Sequence, residues 1–91
     1  MNQADISAAL TELSPAWAYT DGKLHREYRF ADFACAFAFM TRIAIQADKA
    51  DHHPEWFNVY NRVEVWLTTH DAGGVTEKDF ALAAQMDAAA A

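Results

Sequence analysis

Three of the four histidines lie close together in the sequence and indicate where chemistry could occur. His52 and His53 are adjacent, Pro54 follows them, and His70 comes after two predicted strands. Histidine gains and loses a proton near neutral pH because its unperturbed pKa is about 6.5. Two neighbouring imidazoles on a loop stiffened by proline, with a third at the end of a later strand, are typical of an acid–base site.

The same histidines allow an alternative interpretation, a metal site made of His52, His53, His70 and a carboxylate. Zinc accepts imidazole and carboxylate ligands. Adjacent side chains of an extended chain point to opposite faces, so His52 and His53 could share one ion only at a kink. The single Cys35 lies in an apolar stretch typical of a structural thiol. From residue types alone, a His-His pair in a loop is more often solvated or structural, and acid–base chemistry without a metal stands beside that interpretation as a hypothesis. His25 has no partner nearby in sequence and is interpreted as a surface residue.

The elements that must position these histidines follow from the spacing of apolar residues. Gln3 to Leu13 predicts a short helix that ends before Pro15. Two alternating segments around Asp21-Gly22 predict a β-hairpin. After Asp32, a candidate N-cap, apolar residues recur every three or four positions and predict a long helix to about Asp48. Its main apolar stripe comprises Phe33, Phe37, Met40, Ala44 and Ala47, and Phe39, Ile43 and Gln46 widen it.

The second half of the chain predicts another hairpin and a last helix. The apolar residues Trp56, Phe57, Val59 and Tyr60 predict one strand, and Val63 to Thr68 alternate as a second strand does. Asn61-Arg62 is the predicted turn between them. Thr76 and Asp79 have the spacing of a capping box, so the last helix should begin there. The Ala88–Ala91 tail has no anchoring side chain and is expected to fray.

These elements define the predicted fold class. The order is α-β-β-α-β-β-α, and antiparallel hairpins with helices gathered on one side give an α+β domain. We predict a four-stranded antiparallel sheet with the helices packed on one face. With no linker or internal repeat visible, residues 1–91 are expected to form a single domain.

Charge and composition bear on partners and location. The formal net charge of −6 leaves no basic stripe for nucleic acid or for an anionic membrane surface. The sequence contains no run of about 18 apolar residues, so no transmembrane helix is predicted. The first residues lack the charged and apolar regions of a signal peptide, and a lone cysteine fits a reducing compartment, so a cytoplasmic location is expected.

The apolar content predicts self-association. Hydrophobic residues make up 53% of the chain and aromatic residues 13%. A chain of 91 residues lies below the usual domain size of about 100–150, so its core is thin and cannot bury that much apolar surface alone. We expect a homodimer or a homotetramer, in which the wide stripe of the long helix could face the sheet on one side and a partner subunit on the other.

The histidine run also belongs to a longer pattern, which resembles that of the pterin-4a-carbinolamine dehydratases, also known as dimerisation cofactors of a homeodomain transcription factor. The pattern is an acidic residue, three positions, His-His-Pro, five positions, an aromatic, nine positions, a histidine and a later aspartate. This sequence matches it with Asp48, His52-His53-Pro54, Tyr60, His70 and Asp79. The flanking segments Phe39–Arg42, Pro54–Asn61 and Thr68–His70 are similar too. Many members carry glutamate where this chain has Asp48.

The resemblance implies an activity. The family dehydrates 4a-hydroxytetrahydropterin to quinonoid dihydropterin, which recycles the cofactor of aromatic amino-acid hydroxylases. The pterin is the substrate, and neither a metal nor an organic cofactor is implied. An imidazolium can protonate the leaving hydroxyl while a neutral imidazole removes a proton from a ring nitrogen, and such help is typically worth about 10²–10⁴-fold.

The resemblance also implies which residues form the site. His53 is the expected central acid–base residue, assisted by His52 and His70, and Asp48 is a candidate orienter. The backbone around His52–Pro54 and Thr69–Ala72, including Asp71, would line the pterin pocket, and Trp17 could cover it. Asp79 is interpreted first as a helix cap and second as a catalytic group. The other name of the family leaves a protein-interaction role open as an alternative function, and a functional link to a hydroxylase is expected.

Overall fold

The computed structural model describes all residues, 1–91, and contains three helices and one four-stranded antiparallel sheet. The elements are α1 (Gln3–Leu10), β1 (Ala18–Thr20), β2 (Lys23–Arg29), α2 (Phe33–Ala50), β3 (Glu55–Val59), β4 (Arg62–Leu67), a 3₁₀ turn (His70–Ala72) and α3 (Glu77–Ala90). The strands lie in the order β1-β2-β4-β3. The predicted fold class and element order are confirmed.

The first helix and hairpin are close to the prediction. Helix α1 ends at Leu10 rather than Leu13. From Thr11 to Leu13 each backbone amide donates to the carbonyl three residues earlier, so the chain forms tight turns there and not a further α-helical turn. Asn2 and Asp5 form a capping box at its start, which the sequence analysis had not singled out. Asp21 and Gly22 both have positive φ, 54° and 79°, as the two central residues of a type I′ hairpin turn require.

Helix α2 buries a different stripe from the one predicted as its main face. The buried residues are Ala36, Phe39, Ile43 and Ala47, while Phe33 and Phe37 are half-exposed. Phe39 and Ile43, expected only to widen the apolar face, therefore face the sheet together with Ala47 of the predicted main stripe, while Gln46 is exposed. Both stripes have helical spacing, so only the position of the sheet decides between them.

The second hairpin turns one residue earlier than predicted. Val59 pairs with Arg62, so Tyr60-Asn61 forms the turn, and Tyr60 has a φ of 51°. Asn61 connects the turn to Phe30, which lies outside the hairpin. Its side-chain amide donates to the Phe30 carbonyl at 3.0 Å, and its backbone carbonyl accepts from the Phe30 amide at 2.9 Å.

The last helix extends to Ala90, so the predicted fraying of the tail is wrong. The Ala89 carbonyl accepts a hydrogen bond from Arg42 of α2 at 3.2 Å, and Ala89 and Ala90 pack against the core. Asp87 provides a second attachment of α3, this time to the sheet and to the segment before β1. Its carboxylate accepts from Arg26 at 2.7 Å, from Trp17 Nε1 at 3.1 Å, and from the Tyr28 hydroxyl.

The core lies between the sheet and the paired helices α2 and α3. In β4 the residues alternate strictly, with Val63, Val65 and Leu67 fully buried. The opposite face of the sheet carries charged and aromatic side chains, including the pair between His25 and Glu64 at 2.9 Å. His25 thus lies on the outer face of the sheet, as interpreted from sequence, and its partner comes from a strand distant in sequence. No helix is both long enough and apolar enough to cross a membrane.

Candidate active site

A polar cavity of about 400 Å³ opens where α2 ends and β4 meets the following turn. Its walls contain no hydrophobic residue. The lining residues are Asp51, His52, His53, Thr68, Thr69, His70, Asp71 and Lys78. The structure therefore brings the three clustered histidines to one cavity, although His70 lies beyond two strands from the pair.

The end of α2 fixes the histidine pair. Asp51 adopts the left-handed conformation with a φ of 51°, and the His52 amide donates back to the Ala47 carbonyl at 3.0 Å. These hydrogen bonds end the helix as in a Schellman motif. Pro54 then favours extended backbone at His53, so the chain leads from the helix directly into β3.

His52 is held by a buried carboxylate. Its Nε2 lies 2.7 Å from Oδ1 of Asp79, whose side chain is fully buried. The second oxygen of Asp79 accepts from the Thr69 hydroxyl at 2.8 Å and from the Thr76 amide at 2.9 Å. Because a carboxylate only accepts, Nε2 of His52 carries the proton and Nδ1 remains available. The predicted capping box is confirmed, and the same carboxylate orients a histidine.

His53 is the most weakly held member of the pair. Its ring is 59% exposed, and its Nε2 lies 3.5 Å from Asp48, at the limit of a hydrogen bond. It borders both the polar cavity and a neighbouring groove of about 570 Å³. The groove is lined by Thr41, Ala44, Ile45, Ala47, Asp48, His53, Pro54 and Trp56. His53 therefore stands between a polar wall and a partly apolar one.

His70 lies in a closed turn after β4. Thr69 and Gly74 exchange two backbone hydrogen bonds, at 2.9 and 3.3 Å, and Gly73 takes the left-handed backbone conformation that closes the turn. Nε2 of His70 lies 3.2 Å from Glu55 at the start of β3. The hydrogen bond from Lys23 lowers the pKa of the Glu55 carboxyl below its usual value, and contact with His70 acts in the same direction.

The other residues predicted for the site fall into three groups. Thr69 and Asp71 line the polar cavity, while Asp48 and Pro54 line the neighbouring groove. Ala72 lies in the 3₁₀ turn after His70 but on neither wall. Trp17 is buried in the core with its indole N–H on Asp87 and borders neither cavity, so the structure does not bring it to the histidines.

Three residues of the cavity were not singled out from sequence as site residues. They are Asp51, Thr68 and Lys78. Asp51 and Thr68 stand directly beside predicted site residues in the chain, so their position was an available signal. Lys78 lies in the first turn of α3, and only the docking of that helix brings it to the cavity. No group of three His, Cys, Asp or Glu side chains has an arrangement that could hold a metal ion, so the alternative metal site gains no support from geometry.

This small α+β protein has three histidines around one polar cavity, two of them held by carboxylates, and these are residue types that proton transfer requires. The family model described as pterin 4 alpha carbinolamine dehydratase matches residues 1–89. The chain belongs to this family. It is an enzyme family of hydro-lyases, since its named reaction is a dehydration.

Individual relatives agree with this assignment. A protein of Solibacter usitatus, provisionally named a pterin-4-alpha-carbinolamine dehydratase, is 60% identical over 91 residues, which cover 100% of this chain and 95% of the relative. A protein of Rhizobium johnstonii with the same provisional name is 53% identical over 93 residues and is covered to 91%. A crystal structure described as a transcriptional coactivator/pterin dehydratase from Brucella melitensis superposes with a TM-score of 0.95 at 45% identity, covering 100% of this chain and 98% of that one.

Proposed function

We propose that this protein dehydrates 4a-hydroxytetrahydropterin to quinonoid dihydropterin and water by histidine general acid–base catalysis. The observation that carries the proposal is the convergence of His52, His53 and His70 on one polar cavity. Its volume of about 400 Å³ suits a small molecule. Membership of the dehydratase family supplies the substrate class. Neither a metal nor an organic cofactor takes part in the proposed reaction, in which the pterin is the substrate.

The proposed reaction needs two imidazoles in opposite protonation states. An imidazolium gives its proton to the 4a-hydroxyl as the bond from carbon 4a to oxygen breaks, so water leaves with the electron pair. The lone pair of a ring nitrogen forms the new double bond, and a neutral imidazole takes the proton from a ring nitrogen. Carboxylates next to some of the histidines allow the two states to coexist, because a nearby negative charge favours an imidazolium.

We assign the central role to His53. Its ring is largely exposed and has only one long contact, with Asp48, so it is free to meet a substrate. It borders both the polar cavity and the neighbouring groove, so a substrate in either one lies beside it. His52 and His70 assist from fixed positions, Asp48 is a candidate orienter of His53, and Pro54, Thr69, Asp71 and Ala72 belong to the proposed substrate-binding segments.

The test compares stopped-flow dehydration of 4a-hydroxytetrahydropterin by the wild type and by His53→Ala. We expect kcat to fall by about 10²-fold or more, as for the loss of a general acid–base group. His25→Ala is the matched control, because that histidine lies on the outer face of the sheet and should leave kcat unchanged. The rate of spontaneous dehydration is subtracted in each case. Undiminished activity of His53→Ala would refute the assignment.

We further propose that the protein is a homodimer or homotetramer in the cytoplasm. One face of α2 exposes Phe33, Phe37 and Ile45. Exposed apolar residues that share one helix face are typical of an interface. The unpaired thiol of Cys35 fits a reducing compartment. A functional link to an aromatic amino-acid hydroxylase would supply the substrate, since such enzymes form the 4a-hydroxylated pterin.

A second candidate function is a protein-interaction role. The structural relative from Brucella melitensis is described as a transcriptional coactivator as well as a pterin dehydratase. The exposed face of α2 is the surface on which a helical segment of another protein could bind in place of a second copy of this chain. Phe33 and Phe37 of this face lie at the start of α2 and the histidine cavity opens at its end, while Ile45 belongs both to this face and to the groove beside His53.

A further inference from the structure

Glu55 links the histidine cavity to the first hairpin. One of its carboxylate oxygens lies 2.6 Å from Nζ of Lys23, and the other lies 3.2 Å from Nε2 of His70. One oxygen therefore contacts the Lys23 ammonium, and the other contacts His70, which is a cation when its ring is protonated. Glu55 is the first residue of β3 and follows directly after the His-His-Pro segment.

The sheet register explains how Lys23 reaches Glu55. Lys23 begins β2 and Glu55 begins β3, and β4 lies between these strands. Glu55 is paired with Trp66 of β4, and Trp66 is paired with His25 of β2, so these side chains project from the outer face of the sheet. Lys23 lies two residues before His25 in the same strand and therefore projects from that face too. The ammonium group of Lys23 thus crosses over β4, and this contact limits the positions open to the Glu55 carboxylate.

We propose that Glu55, secured by Lys23, is a positioning residue that holds Nε2 of His70 and presents Nδ1 of the same ring to the substrate. The carboxylate accepts a hydrogen bond from the N–H group at Nε2, so only Nδ1 is left to exchange a proton inside the cavity. In general, a carboxylate beside an imidazole ring also favours the protonated ring over the neutral one. Since this proposal rests on the proposed function, it concerns how one of the assisting histidines is prepared for that reaction.

The surroundings of His70 contain other charges that must be included. On its own turn it has Asp71, from the end of α2 come Asp51, His52 and His53, and α3 contributes Lys78. None of these side chains has a hydrogen bond to the His70 ring. Glu55 is the carboxylate in contact with it, so replacement of Glu55 removes the contact while the rest of the cavity lining stays.

The pair between His25 and Glu64 provides an internal control. It lies on the same outer face, with Nε2 of His25 2.9 Å from Glu64, and it does not border the cavity. Glu64→Gln therefore removes a comparable carboxylate from a comparable histidine without touching the site. Any general effect of charge loss on the sheet should appear equally in this variant.

The experiment measures kcat and KM against pH for the wild type, Glu55→Gln, Lys23→Met and Glu64→Gln. The His70 side chain is exposed and that of Glu55 is partly exposed, and exposed ion pairs are weak, so we expect kcat of Glu55→Gln to fall about two- to fivefold at neutral pH. Its alkaline limb should move to lower pH, with KM nearly unchanged. Lys23→Met should change both in the same direction but less, and Glu64→Gln should match the wild type.

A second readout does not depend on activity. The Cε1–H resonance of His70, followed by NMR against pH, should have a titration midpoint at lower pH in Glu55→Gln than in the wild type, while the His25 resonance should not move. Superimposable profiles and resonances for Glu55→Gln and wild type would overturn the proposal, as would an equal loss in Glu64→Gln. If the wild type lacked dehydratase activity, the proposed function would fail, and the NMR comparison would still decide whether Glu55 controls His70.

Discussion

At the scale of single residues, the carboxyl group of Asp79 connects a helix terminus to a histidine of the proposed site. One oxygen faces Nε2 of His52, and the other accepts from the amide of Thr76 and the hydroxyl of Thr69. A fully buried carboxylate is stable only when its hydrogen bonds are satisfied. The structural role inferred from spacing and the positioning of a histidine are therefore two consequences of one arrangement.

Two substitutions separate these roles of Asp79. Asp79→Asn retains an oxygen for the helix cap but removes the negative charge beside His52, so we expect kcat to fall about 10- to 100-fold, a part of the effect of a general acid–base group. Its free energy of unfolding should fall by only about 1 kcal/mol, the usual scale of a helix cap. Asp79→Ala also leaves the Thr76 amide unpaired and removes one of the two partners of the Thr69 hydroxyl, so it should cost about 2–4 kcal/mol.

The control for Asp79 is Thr76→Ala. It removes the N-cap hydroxyl of α3 but not the carboxylate that faces His52, so it should lower stability by about 1 kcal/mol and leave kcat unchanged. Stopped-flow rates and urea denaturation measure the two quantities. Equal activity of Asp79→Asn and the wild type would leave Asp79 as a cap alone.

The sequence predicts the members of the site better than their partners. His52 and His53 are adjacent and His70 ends the hairpin that follows, so their convergence could be inferred. The contacts of His52 with Asp79 and of His70 with Glu55 could not, because they depend on how α3 docks and on the register of β3. The partner of His25 depends in the same way on the pairing of β2 with β4.

At the scale of elements, α2 shows the limit of reasoning from periodicity. Apolar residues cover so much of its circumference that two stripes have the correct spacing. The bounds of the helix were nearly correct, since Asp32 caps its start with a hydrogen bond to the Cys35 amide at 2.8 Å. Which stripe faces the sheet is set by tertiary packing, and that information is not local.

The alanine-rich end of α3 is helical for a tertiary reason as well. Alanine has the highest intrinsic helix propensity, but a short alanine segment is marginal in water. Here Arg42 binds the Ala89 carbonyl, and Asp87 binds three side chains of the first hairpin region: Trp17, Arg26 and Tyr28. These attachments, which no local pattern reveals, hold the last turns against the core.

The attachment of α3 to β2 predicts an alkaline loss of stability. Burial raises the pKa of the Tyr28 hydroxyl above its usual value, and the hydrogen bond to Asp87 adds to this effect. Above about pH 10 the unfolded chain loses the Tyr28 proton while the folded protein retains it, so the free energy of unfolding falls as the pH rises. Below that pH the contribution is fully present.

The measurement compares urea denaturation of the wild type and Tyr28→Phe from pH 8 to pH 11. Tyr28→Phe should be less stable at pH 8, because Asp87 loses a donor, but it should show a smaller decline above about pH 10. Tyr19→Phe serves as the control, since that tyrosine has no hydrogen bond from its hydroxyl and should decline as the wild type does. Parallel curves for Tyr28→Phe and the wild type would contradict the prediction.

At the scale of the whole molecule, the apolar residues divide into a buried core and an exposed face. The core cluster contains thirteen buried residues from the sheet, from α2, from α3 and from the connecting segments. Phe33 and Phe37 lie outside it and contact each other with ring centroids 5.7 Å apart. An exposed aromatic pair on a long helix supports the proposed self-association.

Light scattering at micromolar concentration tests that association. The wild type should have the mass of two or four chains, and the double variant Phe33→Ser/Phe37→Ser should shift toward one chain, because it removes apolar area from the proposed interface. Tyr60→Asn is the control. It removes an exposed aromatic from a turn where asparagine tolerates the positive φ, and it should leave the mass unchanged. A wild type with the mass of a single chain would refute the proposed oligomer.

The hydrogen bonds between Thr69 and Gly74 determine when the conformational entropy of the turn is lost. Ordering the backbone of one residue costs roughly 1–2 kcal/mol at 25 °C. The residues from His70 to Gly73 lose this conformational entropy when β4 and α3 come together during folding, and not when a substrate binds. A ligand of this cavity therefore encounters a backbone that is already ordered, and more of its contact energy remains as affinity or as stabilisation of the transition state.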